Sequence, residues 1–186
     1  MTPRFLHIGC GPACRPIPPQ FTGWYELRID IDPAVEPDVV GSITAIDMPD
    51  CSVEGVYASH ILEHVEQWEV QAALHEVLRV LVPSGTAIIV TPDLLVWSRW
   101  IVDNPGAIEN EMSISPSGNI TALDALFGYQ PDVRAGAEYM RHRTAFTQLT
   151  LAAHLRVAGF AGARVLAQHW QLCAIAQKGK HGEKGD

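Results

Sequence analysis

The sequence predicts an α/β fold built on a doubly wound, mostly parallel sheet. The apolar run of residues 5–8 ends in Gly9-Cys10-Gly11, which is typical of a buried parallel strand that enters a tight glycine loop. A second short strand ends in Asp30, nineteen residues after Gly11. Doubly wound folds hold an adenosine with this pair of features, because the loop passes under the ligand and the carboxylate meets the ribose hydroxyls.

The segment after the glycine loop departs from a dinucleotide-binding pattern. Four prolines fall within residues 12–19, and repeated prolines are not tolerated beyond the first turn of a helix. We therefore expect the first helix to be missing or cut to one turn. The third glycine of a Gly-x-Gly-x-x-Gly motif is also absent, with Arg15 and Pro16 near its place. A pyrophosphate needs a helix N-terminus beneath it, so this loop favours an adenosine ligand without a pyrophosphate.

Further strands and one clear helix follow in alternation. Short apolar segments predict a second strand over residues 24–29, a third over 38–43, a fourth over 53–60 and a fifth over 86–91. A helix is expected before the fifth strand, because apolar residues recur there at the spacing of one buried face. These residues are Val70, Ala73, Leu74, Val77, Leu78 and Leu81. The Pro-Ser-Gly sequence of residues 83–85 is expected to end this helix.

Residues 93–143 interrupt the alternation of strands and helices. This segment contains Trp97, Trp100, an Asn-Pro-Gly turn and a stretch rich in Ser, Pro, Gly and Asn at residues 113–119. A segment of this length between regular elements indicates a lid or a substrate-binding insertion.

The regular pattern returns at the end of the chain. Thr147 is a plausible N-cap for a helix that ends at Gly159. Two closing strands are expected over residues 163–167 and 170–177, and the polar tail of residues 178–186 is expected to be disordered.

Size and composition restrict the class of protein. A chain of 186 residues with 47% hydrophobic and 18% charged residues fits one globular domain, here residues 1–177. The net charge of −8 argues against nucleic acid as a partner, since phosphate binding needs clustered Lys and Arg. We expect no signal peptide and no membrane span. The four scattered cysteines support neither a metal site nor a disulfide framework, and they favour a cytoplasmic location.

Four sequence motifs resemble those of the class I S-adenosylmethionine-dependent methyltransferases, in particular the small type 11 group. The first is LHIGCGP at residues 6–12, and the second runs from Gly23 to Pro33 and contains Asp30. The third joins VYASHILEHV at residues 56–65 to EVLRVLVPSG at residues 76–85. The fourth joins HRTAF, which begins at His142, to Ala-Gly-Phe at residues 158–160. The resemblance implies a seven-stranded Rossmann-like sheet whose last strand is antiparallel.

The resemblance also assigns S-adenosylmethionine as cofactor and gives a role to each motif residue. The glycine loop would pass beneath the methionine part and the ribose, and Asp30 would accept hydrogen bonds from the ribose hydroxyls. Ile31 would pack on the adenine, with Ile43 on its other face. Ser42 stands where the family often has an acid for the adenine amino group. The implied cofactor-binding set is Gly9, Cys10, Gly11, Asp30, Ile31, Ser42, Ile43, Ser59 and His60.

The catalytic residues are less well defined by the sequence. A hydroxyl nucleophile needs a base, and His60, Glu63, His64 and His142 are the candidates. For Glu63 and His64 a structural role at the start of a helical region is the stronger interpretation. His142 is the better candidate for a base because it ends the insertion, although a surface histidine among arginines is an equal alternative.

Three functions fit these features. The first is methyl transfer from S-adenosylmethionine to an O or N atom of a small molecule or a glycan-type acceptor. The second is a nicotinamide-dependent oxidoreductase, which the proline-rich loop disfavours. The third is a cofactor-binding partner protein without catalysis of its own. The sequence predicts neither the acceptor nor the oligomeric state.

Overall fold

A seven-stranded sheet forms the centre of the molecule. The computed structural model describes residues 2–13, 15–115 and 118–180. Its strands are β1 Arg4–Ile8, β2 Tyr25–Asp30, β3 Val39–Val40, β4 Val53–Ser59, β5 Leu81–Pro92, β6 Met112–Ser115, β7 Gly118–Ile120, β8 Gly162–Gln168 and β9 Gln171–Gln177. The large sheet has the strand order β3-β2-β1-β4-β5-β9-β8, and β6 and β7 form a separate hairpin.

The strand directions confirm the predicted topology. Strands β3, β2, β1, β4 and β5 pair in parallel, while β9 pairs antiparallel with both β5 and β8. The sheet is thus mostly parallel with an antiparallel last strand. Because the order reverses direction at β1, the carboxyl ends of β1 and β4 border a crevice of the kind in which open α/β sheets bind ligands.

Some helices cover one face of the sheet, and others lie within the insertion. They are α1 Val70–Val80, α2 Leu94–Asp103, α3 Ala122–Phe127, α4 Gln130–Arg134 and α5 Gln148–Val157. The apolar sides of α1 and α5 pack on β1, β4, β5 and β9 in the main core, which contains Leu74, Val77, Leu151 and Leu155. Thr147 caps α5, as predicted, and accepts a hydrogen bond from the Thr150 amide at 3.2 Å.

The opposite face is covered without a full helix. A short 3-10 helix, Pro19–Phe21, is the only helical turn between β1 and β2 among the residues described there. The Phe21 ring stacks on Phe5 with centroids 4.7 Å apart, and Trp24 packs against the same cluster. This confirms the expectation that the prolines reduce the first helix to one turn.

Two element boundaries differ from the predictions. Strand β3 covers only Val39–Val40, because the backbone turns at Ser42, whose carbonyl accepts from the Ala45 amide at 3.1 Å. Strand β5 begins at Leu81 and includes residues 83–85, where Ser84 takes a φ of 65°. Helix α1 therefore ends before the Pro-Ser-Gly sequence that was expected to stop it.

The insertion has more regular structure than the sequence indicated. Residues 93–143 contain α2, the β6–β7 hairpin, α3 and α4. These elements are short and rely on local caps: the Asp93 carboxylate accepts from the Leu95 amide at 2.9 Å, and Thr121 and Asp124 form a capping box at the start of α3. Short capped elements carry too few periodic positions to be recognised in a sequence.

The end of the chain only partly fits the predicted tail. The Lys178 ammonium donates to the Leu81 carbonyl at 2.6 Å, and the Lys178 amide donates to the Gly85 carbonyl at 3.0 Å. Lys178 is thus held against the sheet, contrary to the prediction. Residues 181–186, the rest of that prediction, lie outside the described residues.

Candidate functional site

A cavity of about 690 Å³ opens at the carboxyl edge of the sheet. One wall is made by residues at the ends of β1, β2 and β4, among them Gly9, Asp30 and His60. The other wall comes from the insertion, with Tyr139 and His142. The strand ends and the insertion therefore enclose one space of a size suited to a cofactor and a small ligand.

The glycine loop depends on backbone conformations that other residues rarely adopt. Gly9 and Gly11 have φ angles of 64° and 56°. A Cβ atom on Gly9 would lie 1.8 Å from Cδ1 of Ile61. The Gly9 amide donates to the Ile29 carbonyl at 2.8 Å, which holds the loop against the end of β2.

Asp30 fixes the loop from the neighbouring strand. Its Oδ2 accepts a hydrogen bond from the Gly11 amide at 2.9 Å, and its Oδ1 accepts from the Asp32 amide at 3.0 Å. Arg28, which sequence reasoning missed, donates to the Gly11 carbonyl and to the Glu36 carbonyl. The Cys10 thiol also lies 4.0 Å from Oδ2 as a weak donor. Oδ1 retains a lone pair, and a ligand hydroxyl can replace the thiol at Oδ2, so the carboxylate can accept from two ligand hydroxyls.

The remaining predicted cofactor residues are distributed unevenly around the cavity. Ile31 lines it with 52% of its surface exposed, and Ile43 lines it but is buried. The Ser42 hydroxyl lies 2.9 Å from the Thr44 hydroxyl and also lines the cavity. Cys10 and Ser59 are not among the residues described as lining it. Exposed Ile31 provides an apolar surface on which a flat ring can pack.

A charged pair lies at the end of β4. Nδ1 of His60 is 3.2 Å from Oε1 of the buried Glu63, and Nε2 is 3.2 Å from Oε1 of Gln171. Partial burial lowers the pKa of His60, but the hydrogen bond and charge of Glu63 outweigh it and raise the pKa above 6.5. For Glu63, burial raises the pKa, yet the hydrogen bond from His60 and the charges of His60, His64 and His142 lower it to about 2.

His64 and His142 lie beside this pair. Nδ1 of His64 is 3.1 Å from the Arg141 carbonyl, and Nδ1 of His142 is 3.0 Å from the Ala125 carbonyl. Because a carbonyl only accepts, each Nδ1 carries the proton and each Nε2 keeps a lone pair. Burial is the main reason that the pKa of His142 lies below 6.5, which favours its neutral form. The two rings are T-shaped with centroids 4.8 Å apart.

The four catalytic candidates are thus brought together, and three of them line the large cavity. His60, His64 and His142 line it, whereas Glu63 lies behind them and is 1% exposed. The structure gives Glu63 and His64 more than a local role at a helix start, because both contact groups from distant parts of the chain.

Several contacts in the site had no signal in the sequence. The Tyr139 hydroxyl donates to Oδ2 of Asp32 at 2.9 Å, which ties the insertion to the end of β2. Trp170 packs against the buried Trp97 with centroids 4.6 Å apart and the ring planes tilted by 32°, and both line the cavity. Arg143, which also lines the cavity, pairs with Glu66 at 2.7 Å. Such contacts join residues far apart in the chain, so only the fold reveals them.

Fold and site together define a Rossmann-like α/β protein with a ligand-sized cavity at the carboxyl edge of its sheet. Residues 6–89 match the family model described as a methyltransferase domain. Over this part of the chain the protein is similar to the type 11 group of S-adenosylmethionine-dependent methyltransferases. The match thereby favours the first of the three predicted functions over the nicotinamide oxidoreductase and the partner protein without catalysis.

Solved structures agree with this fold. A SAM-dependent methyltransferase from Methanosarcina mazei is 20% identical with a TM-score of 0.61, and the alignment covers 96% of this chain and 93% of that one. One from Archaeoglobus fulgidus is 16% identical with a TM-score of 0.59, covering 95% and 86%. The Burkholderia thailandensis 1,6-didemethyltoxoflavin-N1-methyltransferase, solved with its acceptor and S-adenosylhomocysteine, is 15% identical with a TM-score of 0.59, covering 96% and 72%. No curated protein matches the sequence.

The described residues include no helix that is long and apolar enough to cross a membrane.

Proposed function

We propose that this chain transfers the methyl group of S-adenosylmethionine to an O or N atom of a small-molecule or glycan-type acceptor bound in the 690 Å³ cavity. The observation that carries the proposal is the composition of this cavity. Its sheet wall has the loop, carboxylate and apolar surface that suit an adenosine, His142 lies on the wall opposite, and His60 and His64 also line the cavity. One space can therefore hold donor and acceptor side by side.

On the cofactor side, each group has a defined task. Asp30 accepts from the ribose hydroxyls, and Ile31 with Ile43 contacts the adenine. Gly9 and Gly11 allow the backbone to pass close beneath the ligand, since neither has a side chain in the way. Cys10 and Ser59 contribute main-chain atoms rather than side chains, and Ser42 offers a hydroxyl near the adenine edge.

On the acceptor side, His142 is the residue we assign to contact the nucleophile. Methyl transfer is an in-line displacement in which alignment of nucleophile, methyl carbon and sulfur supplies much of the rate. The free Nε2 of a neutral imidazole can accept a proton from an acceptor hydroxyl. The hydrogen bond and charge of Glu63 raise the pKa of His60, which favours its protonated form and makes it less suited to accept a proton. Glu63 then positions the ring of His60, and His64 positions the ring of His142.

Residues 93–143 serve as the lid over the acceptor in this proposal. They supply the cavity wall opposite the sheet, and the Tyr139–Asp32 hydrogen bond joins that wall to the cofactor side. Lids of this kind exclude water and complete a site when they close. The Burkholderia thailandensis neighbour has bound 1,6-didemethyltoxoflavin and S-adenosylhomocysteine, which supports the proposal that this fold can hold a small acceptor together with the cofactor.

Thermal denaturation with ligands tests the donor side. S-adenosylhomocysteine is expected to raise the melting temperature, because a ligand that binds only the native state stabilises it, whereas NAD is expected to leave it unchanged. A stabilisation by NAD alone would overturn the proposal. Release of S-adenosylhomocysteine from S-adenosylmethionine, measured against a panel of hydroxyl and amine acceptors, then tests the transfer itself.

A further inference from the structure

Glu63, His64 and His142 form a cluster in which each side chain still has an atom that can bind a ligand. One carboxylate oxygen and one nitrogen from each ring lie within 4.8 Å of one another. Two imidazoles and one carboxylate are a ligand set that proteins use for divalent transition metals. The scattered cysteines had given no reason to expect a metal, and this cluster contains none of them.

Both histidines are oriented as metal ligands are. Each ring donates from Nδ1 to a main-chain carbonyl, that of Arg141 for His64 and that of Ala125 for His142. This arrangement fixes the tautomer and leaves Nε2 as the atom with a free lone pair. Metal-bound histidines are almost always held in this way by a second group.

Glu63 supplies the independent observation. Its side chain is 1% exposed, and while Oε1 lies 3.2 Å from His60, Oε2 is buried without a hydrogen-bond partner among the residues that the structure describes. A buried, unpartnered carboxylate oxygen is costly unless something else binds it. Glu63 also lines a small cavity of about 10 Å³ with His142 and Thr91, whose hydroxyl is likewise buried and unpartnered. This space has room for about one ion or one water molecule.

We propose that Glu63, His64 and His142 bind one divalent transition-metal ion, of which Zn²⁺ and Co²⁺ are suitable examples, and that this ion binds a hydroxyl group of the acceptor. Imidazole ligands favour such ions over Mg²⁺ and Ca²⁺, which prefer oxygen. With bond lengths of ~2.1 Å, ligand atoms in a tetrahedral site lie roughly 3.3 Å apart. Binding therefore draws the three side chains together. In this arrangement the hydrogen bond between His60 and Oε1 of Glu63 orients the carboxylate toward the ion.

The cluster lies beside the large cavity, and this location defines the role that we propose for the ion. His64 and His142 line the large cavity, so positions on the ion that face this space stay open to the acceptor. This part of the inference rests on the proposed methyl transfer. A bound cation lowers the pKa of a coordinated hydroxyl, whose proton passes to water in the cavity. The oxygen keeps a lone pair with which it bonds to the methyl carbon, while the carbon–sulfur bond breaks and its electron pair stays on sulfur.

The same reasoning selects oxygen over nitrogen as the methyl acceptor. A coordinated amine has no lone pair left for attack, whereas a coordinated hydroxyl or alkoxide does. With the ion bound, the Nε2 lone pair of His142 serves as ligand, and the ion replaces it as the group that activates the hydroxyl.

Metal titration of the chelator-treated protein tests the site. Calorimetry with Co²⁺ is expected to show one ion per chain at micromolar or lower dissociation constant, with a visible absorption band typical of nitrogen ligands, and Mg²⁺ is expected to bind far more weakly. His64→Ala and Glu63→Gln should each weaken Co²⁺ binding by at least about tenfold. His75→Ala, which removes an exposed histidine of α1, is the matched control and should change nothing. The parent's absorption spectrum remains informative if Glu63→Gln fails to fold.

Three results would overturn the metal site: no stoichiometric Co²⁺ binding by the parent, equal binding by His64→Ala, or Mg²⁺ binding as tight as Co²⁺. If the parent binds no Co²⁺, the occupant of the small cavity beside Glu63 is a water molecule. Phenol, but not its methyl ether anisole, should shift the Co²⁺ band, and an unchanged band with phenol would refute the role in acceptor binding. Titration with S-adenosylhomocysteine in parallel separates the two proposals, since either ligand can bind without the other.

Discussion

Replacement of Asp30 by alanine is the most direct test of the cofactor site. The carboxylate has about four lone-pair positions, and the Gly11 and Asp32 amides occupy two of them, while the Cys10 thiol makes only a long, weak contact at 4.0 Å that a hydroxyl can replace. Two positions remain for ribose hydroxyls. A hydrogen bond to a charged group contributes about 1.5–3 kcal/mol. Asp30→Ala is therefore expected to weaken S-adenosylhomocysteine binding by about 10- to 150-fold, since 1.4 kcal/mol corresponds to a factor of ten.

The same substitution has a smaller effect on folding. Two backbone amides lose their acceptor, at about 0.5–1.5 kcal/mol for each hydrogen bond. For a chain of this size, 1 kcal/mol lowers the melting temperature by roughly 2–4 °C, so the variant should remain folded at 25 °C. A binding defect measured there is then a property of the site.

Calorimetry at 25 °C provides the measurement, with Asp47→Ala as the matched control. Asp47 is exposed and does not line the cavity, so its removal should leave the affinity for S-adenosylhomocysteine unchanged. If Asp30→Ala binds S-adenosylhomocysteine as tightly as the parent while remaining folded, the assignment of the cofactor to this edge of the sheet is refuted.

Three further predictions concern the insertion. His142→Ala should leave the calorimetric affinity for S-adenosylhomocysteine nearly intact but slow methyl transfer by ~10²–10⁴, and transfer at the parent rate would contradict a catalytic role. At Asp124, burial raises the pKa, but hydrogen bonds from the Gln130 amide and from Thr121 outweigh it and hold the pKa below 3.8. A lowered carboxyl pKa stabilises the fold fully above pH 3.8 and loses this effect as the pH falls further. Asp124→Asn should therefore be less stable than the parent at neutral pH, with a difference that narrows below pH 3.8 in denaturant titrations; a constant difference would disprove this account. Gly128→Ala should lower stability by more than the ~1–3 kcal/mol of backbone strain, because the new Cβ would lie 2.0 Å from the Met140 carbonyl oxygen. The control is Gly136→Ala, which has a similar φ but no atom within 4 Å, and equal melting temperatures for the two variants would show that the contact is unimportant.

The glycine loop and the shortened first helix could be predicted from the sequence because each depends on a short stretch of chain. A strand followed by two glycines needs only a short stretch of chain, and the prolines that exclude a long first helix act on their own segment. Strand β3 was predicted too long for the opposite reason. Its hydrophobic pattern continues to Ile43, but the Ser42 carbonyl accepts a hydrogen bond from the Ala45 amide at 3.1 Å and the chain turns there. A single competing hydrogen bond decided this boundary.

The acceptor side was only partly readable. The candidates His60, Glu63, His64 and His142 were chosen by residue type, yet nothing in the sequence indicated that Oε2 of Glu63 lacks a partner. The His60–Gln171 and Tyr139–Asp32 contacts join residues separated by 111 and 107 positions. Pairings at such distances depend on the strand order and on the path of the insertion, and neither leaves a periodic signal in the sequence.

Hydrogen bonds to main-chain atoms attach the end of the insertion to the turn that follows β4. The Arg143 and Thr144 amides both donate to the Glu63 carbonyl, at 2.8 and 3.2 Å, and His64 contacts the Arg141 carbonyl. Residues 141–144 are thus attached to the turn that carries Glu63 and His64. The position of His142 beside them is set by these main-chain hydrogen bonds together with two contacts to the end of α3, where its amide donates to the Phe127 carbonyl at 3.2 Å and its Nδ1 to the Ala125 carbonyl at 3.0 Å. In the proposed function, a change in the outer elements α2 and β6–β7 alters the acceptor that the lid admits, while α3 and the turn after β4 keep the geometry of His142.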